Sequence, residues 1–183
     1  MKNLFLGWLP FAILITVLSG MVYGTVQQNY RTSANDPQIQ IAEDLSSALS
    51  AGQQNINLPT AKADMERSLG AFIIVVDDNG ALLYSSALLD GGTPVPPAGV
   101  MVYAKANGQN RITWQPKTGV RAAIVVNSFT DSKSGRSGSV VVGRSLREVE
   151  KRIKNLGLEV GTAWFTAMIG SFIALWFMRK KVV

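Results

Sequence analysis

Two apolar segments, Leu4 to Val26 and Val160 to Met178, stand near the ends of a 183-residue chain, and neither contains a charged side chain. A helix rising 1.5 Å per residue needs roughly 20 such residues to cross a bilayer core of about 30 Å. Both segments meet that length. The chain is therefore expected to hold residues 27–159, which are far more polar, between two transmembrane helices.

The flanking charges give an orientation. Lys2 precedes the first segment and Arg179, Lys180 and Lys181 follow the second, which under the positive-inside rule places both termini in the cytoplasm and the central region outside. The basic residues of the central region do not oppose this, because loops longer than about 60 residues are translocated largely regardless of charge. A net charge of +6 points in general toward nucleic acid, but a translocated domain does not meet it, so no nucleic-acid partner is expected. The first segment also admits a reading as a cleaved signal peptide. Its apolar stretch exceeds the usual 7 to 15 residues or so, and Ser19 to Gly24 offers no Ala-x-Ala-like site, which favours an uncleaved anchor. Pro10 removes one backbone donor within it and is a candidate kink.

The chain has no cysteine and no histidine. Thiolate nucleophiles, zinc-thiolate sites, Ser-His-Asp triads and phosphohistidine all fall away, and any catalysis would depend on carboxylates or lysine. An enzyme is accordingly not expected, and nothing in the sequence implies a cofactor or a bound metal. The central region is long enough for one core.

Within that region Asp36 followed by Pro37 reads as an N-cap with proline in the first helical position, and Ile41, Ala42, Leu45 and Leu49 recur at helical spacing up to Gly52. A second helical turn is expected over residues 63–69, stopped by a left-handed Gly70. Phe72 to Val76 and Ala81 to Ser86 read as a hairpin around Asp77-Asp78-Asn79-Gly80, with positive φ tolerated at both Asn79 and Gly80. In that turn Asp77 and Asp78 read as turn formers rather than a metal pair. Arg111 to Gln115 alternates, with Ile112 and Trp114 on one face, and Arg121 to Phe129 and Ser139 to Arg144 supply two more strands. The expected fold class is α+β, a five-stranded antiparallel sheet with flanking helices between the two membrane helices. The segment from Ala87 to Asn110, with Pro94, Pro96 and Pro97 before a short helical run over 100–106, reads either as a flexible crossover or as a lid over a pocket.

The order of a helix, the run Phe72-Ile-Ile-Val-Val-Asp-Asp-Asn-Gly80, a variable crossover, two long strands, and Gly138-Ser-Val-Val-Val-Gly-Arg-Ser-Leu-Arg-Glu-Val-Glu150 leading into a membrane helix resembles the extracytoplasmic PAS-like (Cache-type) sensor region of bacterial two-component histidine kinases. The resemblance spans roughly Tyr30 to Met178. It implies a bacterial cytoplasmic (inner) membrane protein, often a dimer, with a small-molecule pocket on one sheet face. The spans are then 1–3 cytoplasmic, 4–26 first transmembrane helix, 27–144 PAS-like domain, 145–159 juxtamembrane helix, 160–178 second transmembrane helix and 179–183 cytoplasmic. With five residues after Met178 and no histidine, the family's kinase activity is not carried over, and any output is expected to pass through a partner.

Under this resemblance Tyr84, Tyr103, Lys105, Trp114 and Arg121 lie near the concave sheet face or the crossover, where an arginine among aromatic rings suits a carboxylate or amphipathic ligand. The alternative is that Trp114 is core and Arg121 a solvated strand residue. Ser145 and Glu148 form a capping box that starts a helix. From it Leu146, Val149, Ile153, Leu156, Val160, Ala163, Ala167, Gly170, Ala174 and Phe177 keep 3-4 spacing, with small residues inside the membrane part. Gly20 with Gly24 and Gly157 with Gly161 form GxxxG pairs at the outer ends, suited to packing the two helices together or to pairing two copies. Glu159, in the headgroup zone, is expected to reach water. Three functions compete: a membrane-anchored sensory or interaction module acting through a homodimer or a partner membrane protein, a structural subunit of an envelope complex, and, last, an enzyme.

Overall fold

The computed structural model describes residues 2–53 and 56–180. Met1, and Lys181 with the two residues after it in the expected cytoplasmic tail, lie outside the described residues. The chain forms two compact units, one of residues 1–31 with 149–183 and one of residues 32–148.

The first unit is built by α1 (Lys2–Ser33) and the greater part of α4 (Arg147–Lys180), and both helices are long and apolar enough to cross a membrane. Pro10 is accommodated within α1. The two helices run antiparallel through an aromatic contact. Trp8 Nε1 donates to Ser171 Oγ at 2.9 Å and Trp164 Nε1 donates to Thr16 Oγ1 at 3.0 Å. The Phe172 ring lies 5.9 Å from that of Phe5 and 5.6 Å from that of Trp8. Two indole donors that would be costly to leave unpaired in an apolar medium are thus satisfied across the helices.

This contact does not run through the expected small residues. A Cβ built at Gly20, Gly24, Gly161 or Gly170 meets nothing within 4 Å, and one at Gly157 meets only the Tyr23 ring at 3.6 Å. Ala163, Ala167, Gly170 and Ala174 are exposed, whereas Trp164, Met168, Ser171, Phe172 and Leu175 form the half-buried face. The physical reason is size. Indole and phenyl rings fill the gap between the backbones, so the close approach that glycine pairs permit is not used.

In the second unit, α2 (Asp36–Ser50) carries Pro37 in its first turn, but its N-cap is Asn35 rather than Asp36. The Asn35 carbonyl accepts the Ile39 N–H at 3.0 Å, which places the first intrahelical bond one residue earlier than expected. Left-handed Gly52, at φ 66, closes the helix. Residues 63–69 depart from expectation more sharply. Ala63–Asp64 is a short strand, β1, paired in parallel with β4 (Ala87–Leu88), and only the turn after it is helix-like, with Ser68 N–H donating to the Asp64 carbonyl at 2.7 Å. The pairing allows Met65 and Ala87 to enter the core. Gly70 is not left-handed; its N–H is taken by Ser68 Oγ at 3.0 Å.

The main sheet comprises β2 (Phe72–Asp77), β3 (Leu82–Ser85), β5 (Gln109–Lys117), β6 (Val120–Thr130) and β7 (Ser137–Ser145), all antiparallel in the order β3-β2-β7-β6-β5. The last strand therefore sits at the centre. At the β2–β3 turn only Gly80 takes positive φ, and Asp77 Oδ1 accepts the N–H groups of Asn79 and Ala81 at 2.9 and 2.7 Å, so Asp77 is indeed a turn former. The domain is α+β, a five-stranded antiparallel sheet with flanking helices, as the sequence pattern indicates.

Strand alternation gives the sheet two apolar faces. Ile73, Val75, Val125, Phe129, Val140 and Val142 pack against Ala42 and Leu45 of α2. Phe72, Ile74, Val76, Ile124, Val126 and Val141 face the other way, toward Trp114, Met65 and α3 (Ala98–Asn107). Full burial of each large side chain here contributes about 1.5–3 kcal/mol. The crossover is thus more ordered than either expectation, since it contains β4, a left-handed Asp90-Gly91 turn and a ten-residue helix whose Ala104 is fully buried. Finally β7 passes into α4, whose first residue, Arg147, donates its N–H to Ser145 Oγ at 3.3 Å.

Candidate functional site

The five expected ligand residues do not line one cavity. Trp114 and Ala122 are directly paired and share the α3-side face, so Arg121, next along β6, points to the α2 side. Tyr84 pairs with Val75 on the α2 side too, on the far edge strand, and its hydroxyl donates to the Pro59 carbonyl. Trp114 is 8% exposed and meets Phe72 edge-on at 6.5 Å, which makes it a core residue. Tyr103 lies outward on α3, 54% exposed. Lys105 lines a cleft beside the β2–β3 turn.

That cleft, of about 240 Å³, lies between the β2–β3 turn and α3 and is lined by Asp77, Asp78, Asn79, Met101, Val102, Lys105 and Ser139, among others. Lys105 Nζ is 2.9 Å from Asp78 Oδ2, so its charge is already balanced within the domain. Both partners keep wide access to water, and such pairs contribute at most about 1 kcal/mol. Elsewhere, the space between the sheet and α3 is filled by Phe72, Ile74, Ile124, Trp114 and Met65.

A second set of polar contacts lies at the other end of the crossover. Lys117 Nζ bonds Glu66 Oε1 at 2.6 Å and Asp90 Oδ1 at 2.7 Å. The hydrogen bonds to Asp90 and then Glu66 push the Lys117 ammonium above its usual range, so it is a fixed cation and no general base. Arg147 Nη1 and Nη2 donate to the consecutive carbonyls of Glu66 and Arg67 at 2.8 and 3.1 Å, and Arg144 Nε donates to the Leu69 carbonyl at 2.8 Å. On the β6–β7 loop, the Ser134 hydroxyl and then the Lys133 N–H hold the Asp131 carboxyl below its usual range. Among the described residues no cluster of three or more acidic side chains is placed to hold a metal ion.

Neither the Glu66–Lys117–Asp90 group nor the arginine contacts are visible in the sequence pattern. Their members lie 51, 27 and 80 or so residues apart, and no local pattern carries such a contact. Comparison with known protein families and with curated proteins finds no match to this sequence.

Proposed function

We propose that this chain is a membrane-anchored, extracytoplasmic PAS-like module that acts by protein contact, through a partner membrane protein or a second copy, with no chemistry of its own. One observation carries the reading: the sheet interior is filled, and the residues best suited to grip a small ligand are dispersed over both faces. A pocket for a small molecule usually needs some 300 Å³ or more with a few converging polar groups, and the cleft beside Lys105 offers less. Protein contact needs no such cavity. Two helices of membrane-spanning length supply the anchors, and the order of helix, hairpin, helical crossover, two long strands and a central last strand leading into α4 supports the PAS-like reading.

The exposed small-residue stripe on α4 supports a partner within the membrane. Ala163, Ala167, Gly170 and Ala174 offer a shallow groove for another helix backbone, while the large residues Phe165, Ile169 and Ile173 occupy a different exposed face. An accessory subunit of an envelope complex fits the filled core equally well, and differs only in that its partner is permanent.

The topology is tested by insertion of a reporter active only outside the cytoplasm. Placed within the 131–138 loop it is expected to work, and fused after Val183 it is expected to be silent. The reverse pattern would reject the orientation, and activity at both sites would reject the second membrane crossing.

A further inference from the structure

The contacts around Glu66 run in series from the crossover to the first residue of α4. Asp90 lies two residues beyond β4 and is the one non-glycine among the described residues with positive φ, at 50°. Its carboxylate bonds Lys117 at the end of β5, and the same ammonium bonds Glu66. Glu66 stands in the turn after β1, a turn braced by its own N–H to Asp64 Oδ1 at 2.9 Å and by Met65 N–H to the Leu88 carbonyl at 2.9 Å. The far side of this turn presents the carbonyls of Glu66 and Arg67 to the fork of Arg147.

We infer that Lys117 and the Glu66 turn form a relay by which displacement of the crossover around Asp90 reaches the start of α4. The geometry suits transmission for two reasons. One guanidinium spans two consecutive carbonyls, so it reads the shape of the turn: if the turn unwinds, the carbonyls separate and Arg147 loses one of them. Each link is also solvent-accessible and therefore weak, so the series can open and close without unfolding the sheet. The contacts of the relay, from Asp90 to Arg147, lie within the domain and do not depend on the membrane reading.

Hydrogen exchange of the full-length chain in detergent tests it. Lys117→Met removes the central ammonium while keeping the length of the side chain. The amides of Arg67 and Ser68, and those of Lys151 to Ile153 at the first hydrogen-bonded turn of α4, are expected to exchange about three- to fivefold faster, the modest effect that loss of a solvent-accessible link gives. Amides at the centre of the sheet, such as Val125 and Val141, should keep their protection. Asp90→Asn is the decisive variant, because asparagine tolerates the left-handed backbone and residue 90 bonds neither the Glu66 turn nor Arg147. A smaller acceleration at 67–68 and 151–153 in Asp90→Asn supports the relay. Acceleration confined to residues 88–92 and 117–120 in both variants would overturn it, reducing the contacts to independent surface pairs.

Discussion

Phe72→Ala is expected to lower the stability of the sheet domain by about 3–5 kcal/mol, the range for deleting a buried phenyl ring and leaving part of its volume empty. Phe72 is among the largest fully buried side chains and bridges the centre of the α3-side core to Trp114. The sharper test is its coupling to Gly143 on β7, which pairs directly with it. A Cβ on Gly143 would overlap the Phe72 ring and approach Ile124 Cγ2 to 2.8 Å. Gly143→Ala alone should therefore cost about 1–3 kcal/mol through overpacking. In the Phe72→Ala background most of that penalty should vanish, because the clashing ring is gone, so the two substitutions should be non-additive by more than about 1 kcal/mol. Denaturant unfolding of the full-length protein in detergent, followed by pulse proteolysis, measures the cycle. Additive costs would show that the ring does not occupy the space above Gly143.

Gln38→Met should have the opposite sign. Gln38 is fully buried on the sheet-facing side of α2, one turn before Ala42, and neither its amide oxygen nor its nitrogen finds a hydrogen-bond partner among the described residues. An unpaired buried amide destabilises by about 1–3 kcal/mol, and replacing it with an apolar side chain of similar length and helix propensity removes that cost. A gain of about that size is expected in the same unfolding measurement. A loss would mean that the amide is hydrogen-bonded in solution, and would direct attention to the first turn of α2 as a polar contact point. Its backbone setting is not in question, since methionine and glutamine are equally at home in a helix.

The strands were legible because β-branched runs bounded by turn residues leave few alternatives: Phe72 to Val76 and Val140 to Val142 are such runs, and both are strands. Residues 63–69 read as a helical turn for the opposite reason. A two-residue parallel strand has no period to detect, and its partner, Ala87–Leu88, is 24 residues away. In the crossover the helical run over 100–106 is legible and falls inside α3, whereas the extension of that helix back to Ala98 is not, because it depends on Pro97 serving as the N-cap. At the candidate site, residue types were readable but faces were not. Trp114 and Arg121 look like neighbours in composition, yet the register that pairs Trp114 with Ala122 sends Arg121 to the opposite side. The glycine pairs misled on the α1–α4 contact because GxxxG describes what a backbone permits, whereas the rings of Trp8, Trp164 and Phe172 determine what happens.

If the α4 stripe is the face that meets another protein, a probe placed on it must reach that partner. Photocrosslinking residues placed singly at Ala163 and Ala174, in intact membranes of cells that make the protein, should yield a discrete adduct with a second copy or with one other membrane protein. The same probe at Phe165 or Ile173 should yield none, and Ala167→Leu with Gly170→Leu should diminish the adduct several-fold by filling the groove. Equal labelling from both faces, or an adduct indifferent to the leucines, would contradict a partner at this stripe.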